Sequence, residues 1–240
     1  MTTDPILVGE AVSHEYGELS VLEGVDITVK PGAVTAIVGP NGTGKTTLLR
    51  ILLGHLSPTD GAVRYTGPEV DRPIGYLPQQ PSFRPQFTAA ETIAFYAGLL
   101  DEPAETEAAL RRVGLADAAD RRVEALSGGM RRLLGIAQSL VGEPPVAVFD
   151  EPASGLDPSM AANAFEILAE QAAEGTAVLV SSHDLSLVDR SADRVVFLNR
   201  GSVIVSGSPA ELADATNSET LWEVYESVIR EPAARREVEA

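Results

Sequence analysis

Short apolar runs rich in β-branched residues recur along the chain, and each is bounded by Gly, Pro, Asn, Asp or Ser. This pattern is typical of β-strands. Two of the runs, at residues 34–38 and 146–149, are apolar almost throughout instead of alternating, which predicts parallel strands buried on both faces. The predicted strands comprise residues 6–8, 25–29, 34–38, 146–149, 177–180, 195–198 and 203–205.

Helical stretches separate most of these strands, and such an alternation predicts the α/β class with a mainly parallel sheet. Residues 1–31 are predicted to form an antiparallel β subdomain. Residues 85–141, where Ala, Leu, Glu and Arg recur at helical spacing, are predicted to form an inserted helical subdomain. The core is assigned to residues 32–84 and 142–207, and a helical tail to residues 208–240, all in a single domain. The predicted helices comprise residues 46–53, 104–113, 130–140 and 159–173.

Composition narrows the possible partners. With 240 residues, 44% of them hydrophobic, the chain can bury the core of one domain. Its 35 acidic residues against 18 basic ones give a formal net charge of −17, which disfavours nucleic acid as a partner. Cysteine is absent, which excludes disulfides and thiolate chemistry. No apolar run reaches the roughly 18 residues that span a bilayer and the amino terminus lacks a signal-peptide pattern, so we expect a cytoplasmic protein.

A glycine-rich loop follows the predicted strand 34–38. Residues 39–46, GPNGTGKT, fit the pattern G-x-x-x-x-G-K-[ST] in the strand and helix context that it requires. The glycines let backbone N–H groups turn inward around a phosphate, and the helix N-terminus adds its dipole. Lys45, one of only two lysines in the chain, supplies a charge for the β- and γ-phosphates, and the Thr46 hydroxyl is a candidate Mg²⁺ ligand.

A second, acidic strand end completes the predicted metal site. The apolar strand 146–149 leads directly into Asp150 and Glu151. Asp150 is predicted to hold Mg²⁺ through water, and Glu151 to polarise the water that attacks the γ-phosphate. Alone, such a pair would fit a helix cap or a solvated turn, but its occurrence together with the phosphate loop favours a catalytic role.

These features together resemble one family, the ATP-binding cassette (ABC) ATPases. Residues 126–130, LSGGM, resemble the family's signature motif and precede Asp150 and Glu151, which is the family's order. Residues 154–157, SGLD, resemble its D-loop. The resemblance covers about residues 8–207 and implies a P-loop NTPase core that hydrolyses ATP with Mg²⁺.

Three further residues match positions of the family. Gln79 corresponds to the Q-loop glutamine, His183 to the switch histidine, and Tyr16 to an aromatic residue that stacks on adenine. Taken alone, Tyr16 is also explained as a residue that only packs, and His183 as one that makes a structural hydrogen bond. The resemblance implies that Glu151, His183 and Gln79 are catalytic, and that Thr46, Gln79 and Asp150 bind the metal ion. The residues that it implies in ATP binding are Tyr16, Gly39, Asn41, Gly42, Gly44, Lys45, Thr46, Thr47, Ser127, Gly128, Gly129 and Asp157.

The signature loop predicts a second subunit. Ser127, Gly128 and Gly129 place a hydroxyl, bare N–H groups and a helix N-terminus together, which suits a γ-phosphate. Two helix N-termini of one compact chain cannot easily reach the same nucleotide, and the resemblance implies that this loop closes over ATP held by a partner copy or a related cassette. Taken alone, the motif is also explained as a simple helix N-cap.

The resemblance further implies a transport role. A cassette with no membrane span fits an ATPase that docks on a separate integral permease, and is held by it at the inner face of the cell membrane. Met130 and the arginines after it, together with residues 87–97, resemble the exporter branch. The alternative is a soluble ABC ATPase that regulates a non-membrane assembly partner.

Overall fold

The molecule contains two β-sheets flanked by helices, and its computed structural model describes residues 4–100 and 105–228. Predicted helical residue 104 and tail residues 229–240 lie outside this part. The strands are β1 (Leu7–Tyr16), β2 (Leu19–Val29), β3 (Val34–Val38), β4 (Asp60–Tyr65), β5 (Ile74–Leu77), β6 (Val146–Asp150), β7 (Ala177–Ser182), β8 (Arg194–Asn199) and β9 (Ser202–Gly207). The α-helices are α1 (Lys45–Leu52), α2 (Ala89–Gly98), α3 (Thr106–Arg112), α4 (Gly128–Ser139), α5 (Pro158–Ala173), α6 (Leu185–Ser191) and α7 (Pro209–Thr216).

The larger sheet has six strands in the order β5-β6-β7-β3-β8-β9. The first five run parallel, and β9 pairs antiparallel with β8. Every residue of β3, β6 and β7 is buried, which confirms the strands predicted from the continuous apolar runs. The α/β fold with a mainly parallel sheet is therefore confirmed, and the carboxyl ends of its central strands meet at one edge.

Alternate residues of these strands enter two separate hydrophobic cores. Phe149 packs with Leu134 of α4 and Phe165 of α5 on one face of the sheet. Val148, its neighbour in β6, packs with Leu49 of α1 on the other face, where the strands of the smaller sheet also contribute. The helical insertion and the β subdomain thus cover opposite faces, and both are anchored to the strands that carry the predicted site.

The smaller, antiparallel sheet has the order β2-β1-β4. The pairing of β1 with β2 lies within the predicted subdomain of residues 1–31. The third strand, β4, comes from the stretch 32–84 that the sequence assigned to the core, so that division needs correction. The sequence missed β4 because only Val63 and Tyr65 pack against the core, and it missed β5 because four residues broken by a glycine give too short a pattern.

Helix starts are set by capping side chains more often than by the apolar pattern. Helix α4 begins two residues before the predicted stretch 130–140 because Ser127 Oγ accepts a hydrogen bond from the Met130 N–H at 3.1 Å. Helix α5 begins after Asp157, which caps it in the same way. The described part of the insertion holds α2, α3 and α4. Within residues 4–100 and 105–228, no helix is long and apolar enough to cross a membrane.

Candidate active site

The glycine-rich loop connects β3 to α1 and leaves the start of that helix open. Gly44 is the N-cap residue, and its φ of +100° lies in the left-handed region, where a residue with a side chain would be strained. No side chain caps α1. The first backbone N–H groups of a helix have no intrahelical partner, so this N-terminus can donate to an anion.

Lys45 folds back across the loop. Its Nζ donates to the carbonyl oxygens of Gly39 at 2.6 Å and Pro40 at 3.0 Å, and lies 3.8 Å from Glu151 Oε1. Burial lowers the pKa of Lys45 from its ordinary value, whereas the carboxylates of Glu151 and Asp150 act in the opposite direction. The ammonium is thus largely removed from water, and phosphate oxygens are stronger acceptors for it than neutral carbonyls.

Asp150 ends β6 with a fully buried carboxylate. Its Oδ1 accepts a hydrogen bond from Ser181 Oγ at 2.6 Å, whereas Oδ2 is buried without a hydrogen-bond partner. A buried carboxylate oxygen is costly unless a cation, a donor or water satisfies it, so this group fits Mg²⁺. In the described part of the chain, no group of three or more His, Cys, Asp and Glu residues could hold a metal ion.

Glu151 has an unusual backbone, and its carboxylate contacts nitrogen atoms of two side chains. Its φ of +53° is left-handed, and its N–H donates to Ser181 Oγ at 2.9 Å and to the Ser181 carbonyl oxygen at 3.2 Å. Its Oε2 lies 2.6 Å from Nδ1 of His183, whose side chain is 62% exposed. The carboxylate is therefore held between His183 and Lys45, and non-glycine residues with positive φ occur often at functional sites.

One cavity of about 360 Å³ brings most of the predicted residues together. Val21 also lines it, and the sequence missed this residue because an apolar side chain in a strand carries no chemical signal. Gly39 and Asp150 contribute nearby, through the contacts to Lys45 and Ser181 described above. The predicted residues that line the cavity are Tyr16, Asn41, Gly42, Gly44, Lys45, Thr46, Thr47, Gln79 and Glu151.

Tyr16 lies at the end of β1 on the rim of this cavity. Its side chain is 47% exposed, and His14 contacts its ring edge to face with centroids 4.6 Å apart. His14 is itself buried, and both of its ring nitrogens are without a hydrogen-bond partner. The contact with His14 supports the Tyr16 ring from one side, and the exposed remainder of the ring is available for stacking.

The signature and D-loop residues lie elsewhere. Ser127, Gly128, Gly129 and Asp157 are not among the residues that line the cavity. Ser127 caps α4, and Asp157 Oδ1 accepts from the N–H groups of Ser159 and Met160, both at 3.0 Å. The Ser159 hydroxyl, followed by these backbone N–H groups, holds the pKa of Asp157 below its usual value. Within one chain, both residues therefore serve as helix caps.

Arg132 and Ser181 are site residues that sequence reasoning missed. Arg132 is 5% exposed and donates to backbone carbonyl oxygens around Asp150 and Glu151. Burial lowers the pKa of this guanidinium, and the two carboxylates oppose the shift. The available signal was an arginine among apolar residues of a helix, at a position where charge is costly unless it is paired.

The sequence is similar to those of several known proteins. Residues 22–154 match the ABC transporter family. The Nod factor export ATP-binding protein I of Ralstonia nicotianae is 35% identical over 233 residues, covering 92% of this chain and 73% of that protein. The zinc import ATP-binding protein ZnuC of Paracoccus denitrificans is 39% identical over 209 residues, covering 85% of this chain and 79% of that protein.

A solved structure has the same fold. It is the dimeric, post-hydrolysis state of an ATP-binding cassette bound to ADP and Pi. Its TM-score is 0.75 at 25% identity, covering 84% of this chain and 98% of that one. The family match includes the phosphate loop, the signature motif and the acidic end of β6. The chain therefore belongs to the ABC transporter family, as one of its ATP-binding, ATP-hydrolysing subunits.

Proposed function

We propose that this ATPase holds Mg-ATP in the 360 Å³ cavity, closes over it as a dimer, and drives a separate membrane permease in the direction of export. The observation that carries the nucleotide site is the convergence of two strand ends. Lys45 Nζ, on the loop after β3, lies 3.8 Å from Glu151 Oε1, which follows β6. A phosphate-binding cation and a candidate general base therefore share one cavity.

Each phosphate contact follows from a local feature of the chain. The open N-terminus of α1 and the Lys45 ammonium bind the β- and γ-phosphates. Thr46, Gln79 and Asp150 would hold Mg²⁺, which would neutralise charge on the phosphate oxygens. Tyr16 offers a stacking face for adenine, and the loop residues Gly39, Asn41, Gly42, Gly44 and Thr47 complete the cradle.

In the reaction, water attacks the γ-phosphorus in line, the bond from that phosphorus to the β–γ bridging oxygen breaks, and ADP and inorganic phosphate leave. Glu151 orients the water and accepts its proton, and its carboxylate is kept in place by His183 Nδ1 at 2.6 Å. His183 is mostly exposed, so it can also meet a γ-phosphate. The left-handed backbone of Glu151 fixes the direction in which this side chain leaves β6.

The proposed dimer follows from the residues that lie outside the cavity. Ser127, Gly128, Gly129 and Asp157 match nucleotide-contacting motifs of the family but line no part of this chain's own cavity. A second copy, or a related cassette, would present them from the opposite side. The dimeric state of the related cassette bound to ADP and Pi supports this arrangement.

Glu151→Gln is expected to lower the ATP turnover number by about 100-fold or more, because the amide cannot accept the proton. The variant should keep its affinity for ATP and elute as a dimer when ATP is present. Steady-state phosphate release and size-exclusion chromatography with ATP measure both effects. Glu166→Gln, on the exposed side of α5, is the matched control and should behave as the parent protein. Unchanged turnover with only monomer would overturn the assignment of Glu151.

The export direction is proposed from residues at the start of α4. Met130, Arg131 and Arg132 follow the signature glycines and resemble the exporter branch, and a Nod factor export protein is among the relatives. A zinc import protein is also related, so kinship alone does not decide the direction.

Recovery of the tagged protein from its native membranes tests the transport role. We expect a copurifying integral membrane protein whose recovery survives a salt wash and whose presence stimulates ATP hydrolysis. A cargo that accumulates inside cells lacking this ATPase supports export. Recovery with non-membrane partners alone would favour the alternative, an ABC ATPase that regulates a soluble assembly partner.

A further inference from the structure

The Arg132 side chain connects three segments of the chain: its own helix α4, the Q-loop and the end of β6. It extends from α4, the helix that begins at the signature loop. Its Nη1 donates to the carbonyl oxygens of Pro78 at 3.2 Å and Gln79 at 2.5 Å, in the Q-loop. Its Nη2 donates to the carbonyl oxygens of Asp150 at 2.8 Å and Glu151, and its Nε to that of Pro152 at 3.1 Å.

The chemistry of the guanidinium suits this arrangement. A planar fork of N–H donors can meet carbonyl groups on several sides, which a lysine ammonium on a flexible stem cannot reproduce. A buried charge is costly unless its donors are satisfied. At 5% exposure, Arg132 obtains this satisfaction from backbone carbonyls of the site. Its position is therefore coupled to theirs.

The backbone of Glu151 depends on such external contacts. A left-handed φ of +53° is unfavourable for a non-glycine residue and persists only where its surroundings enforce it. Ser181 in β7 accepts a hydrogen bond from the N–H of Glu151, and the carbonyl oxygen of Glu151 accepts hydrogen bonds from Arg132 in α4 and from the nearby Ser154 N–H. Both polar backbone groups of the proposed general base are thus fixed by side chains from other elements.

Helix α4 packs closely against the larger sheet. A Cβ added at Gly75 in β5 would lie 1.9 Å from the Ser139 carbonyl oxygen, so the helix and the strand meet backbone to backbone. The Q-loop follows β5 directly. A shift of α4 would therefore act on the Q-loop both through β5 and through the Arg132 contacts.

We propose that Arg132 is a positioning residue for ATP hydrolysis. By binding the carbonyl oxygens of Gln79, Asp150 and Glu151 together, it holds the Q-loop and the end of β6 in register with the helix that carries the signature loop. Movement of that helix is thereby transmitted to the Glu151 carboxylate. This inference rests on the proposed role of Glu151 and adds a residue that acts through it.

The test compares two arginines that donate to backbone carbonyl oxygens: Arg132, at the start of α4, and Arg72, which precedes β5 and contacts the other end of α4. Arg132→Met removes the donors near the site and is expected to lower the turnover number by about 10- to 100-fold, because a small displacement of Glu151 is enough. The dissociation constant for Mg-ATP should change by no more than about two-fold, since Lys45 and the loop are untouched. In the control, Arg72→Met, the lost contacts are to the carbonyl oxygens of Gln138 and Val141, and turnover should stay near that of the parent.

Arg132→Lys separates charge from geometry. It keeps the positive charge and is expected to fold, yet to remain slow because it cannot span the three segments. Thermal melting of every variant reports folding, and the lysine variant keeps the test valid should the methionine variant be unstable. Full turnover in Arg132→Lys would overturn the inference, because a charge alone would then be sufficient.

A double-mutant cycle with Glu151→Gln completes the experiment. If Arg132 acts through Glu151, then Arg132→Met should cause little additional loss in the Glu151→Gln background. A loss of the same factor in both backgrounds would overturn the inference. If Arg132→Met has full turnover while Glu151→Gln is slow, only the inference about Arg132 is overturned. If Glu151→Gln itself has full turnover, the proposed function is overturned as well.

Discussion

Helix α1 follows a glycine-rich loop and helix α4 begins with two glycines, but their N-termini are completed in different ways. At α1 the N-cap is Gly44, and no side chain bonds to the first turn. At α4 the N-cap is Ser127, whose Oγ accepts a hydrogen bond from the Met130 N–H at 3.1 Å. The first N–H groups of α1 are therefore available to a ligand, whereas one N–H group at the start of α4 is already hydrogen-bonded within the chain.

The difference separates two kinds of phosphate contact. The α1 end combines several backbone N–H groups with the Lys45 ammonium, which is held within 3.0 Å of two carbonyl oxygens. The α4 end offers the Ser127 hydroxyl, which can donate its proton while its lone pair keeps the cap. We therefore expect α1 to dominate the binding of ATP, and α4 to contribute a smaller interaction when the dimer closes.

The largest effect is expected at the α1 end. Lys45→Ala should weaken Mg-ATP binding by about 10- to 100-fold, because charge-assisted hydrogen bonds to the phosphates are lost. Isothermal titration calorimetry with the intact protein measures this change. Lys30→Ala removes the chain's other lysine, which is exposed, and should bind ATP as the parent does. Equal affinity in the two variants would show that the loop is not part of the nucleotide site. The contrast between the two helices would then have no basis.

The fold was predictable where burial imposes a continuous pattern. The runs at 34–38 and 146–149 became β3 and β6, since strands covered on both faces need apolar residues at each position. β4 was not predictable in this way, because its partner β1 covers only one edge and most of its residues remain exposed. Its assignment to the β subdomain depends on a pairing between distant stretches.

The site was predictable where its chemistry is local in sequence. Lys45 and Glu151 follow strands within short motifs, and the structure places them in the same cavity. Arg132 and Ser181 could not be identified because their contacts connect residues that are up to 54 positions apart. The apolar setting of Arg132 indicates that its charge needs partners, but neither that setting nor a serine in a strand identifies which residues are contacted.

A smaller effect is expected at the α4 end. Ser127→Ala should lower the turnover number by about 10-fold, because one hydrogen bond to a charged phosphate is lost in the closed dimer. ATP affinity of the isolated chain should change by no more than about two-fold, since the α1 end is intact. Calorimetry and steady-state phosphate release on the same preparation separate the two quantities.

Loss of the α4 cap must be distinguished from loss of the phosphate contact. Removing a serine cap costs a helix about 1 kcal/mol, whatever else the residue does. Ser208 caps α7 in the same way, with Oγ accepting from the Glu211 N–H at 3.2 Å, and it is not among the residues that line the cavity. Ser208→Ala should therefore share the loss of thermal stability of Ser127→Ala but hydrolyse ATP at the parent's rate. If both variants lose turnover equally, Ser127 is only a cap, and the contrast between the two helix N-termini reduces to one of local stability.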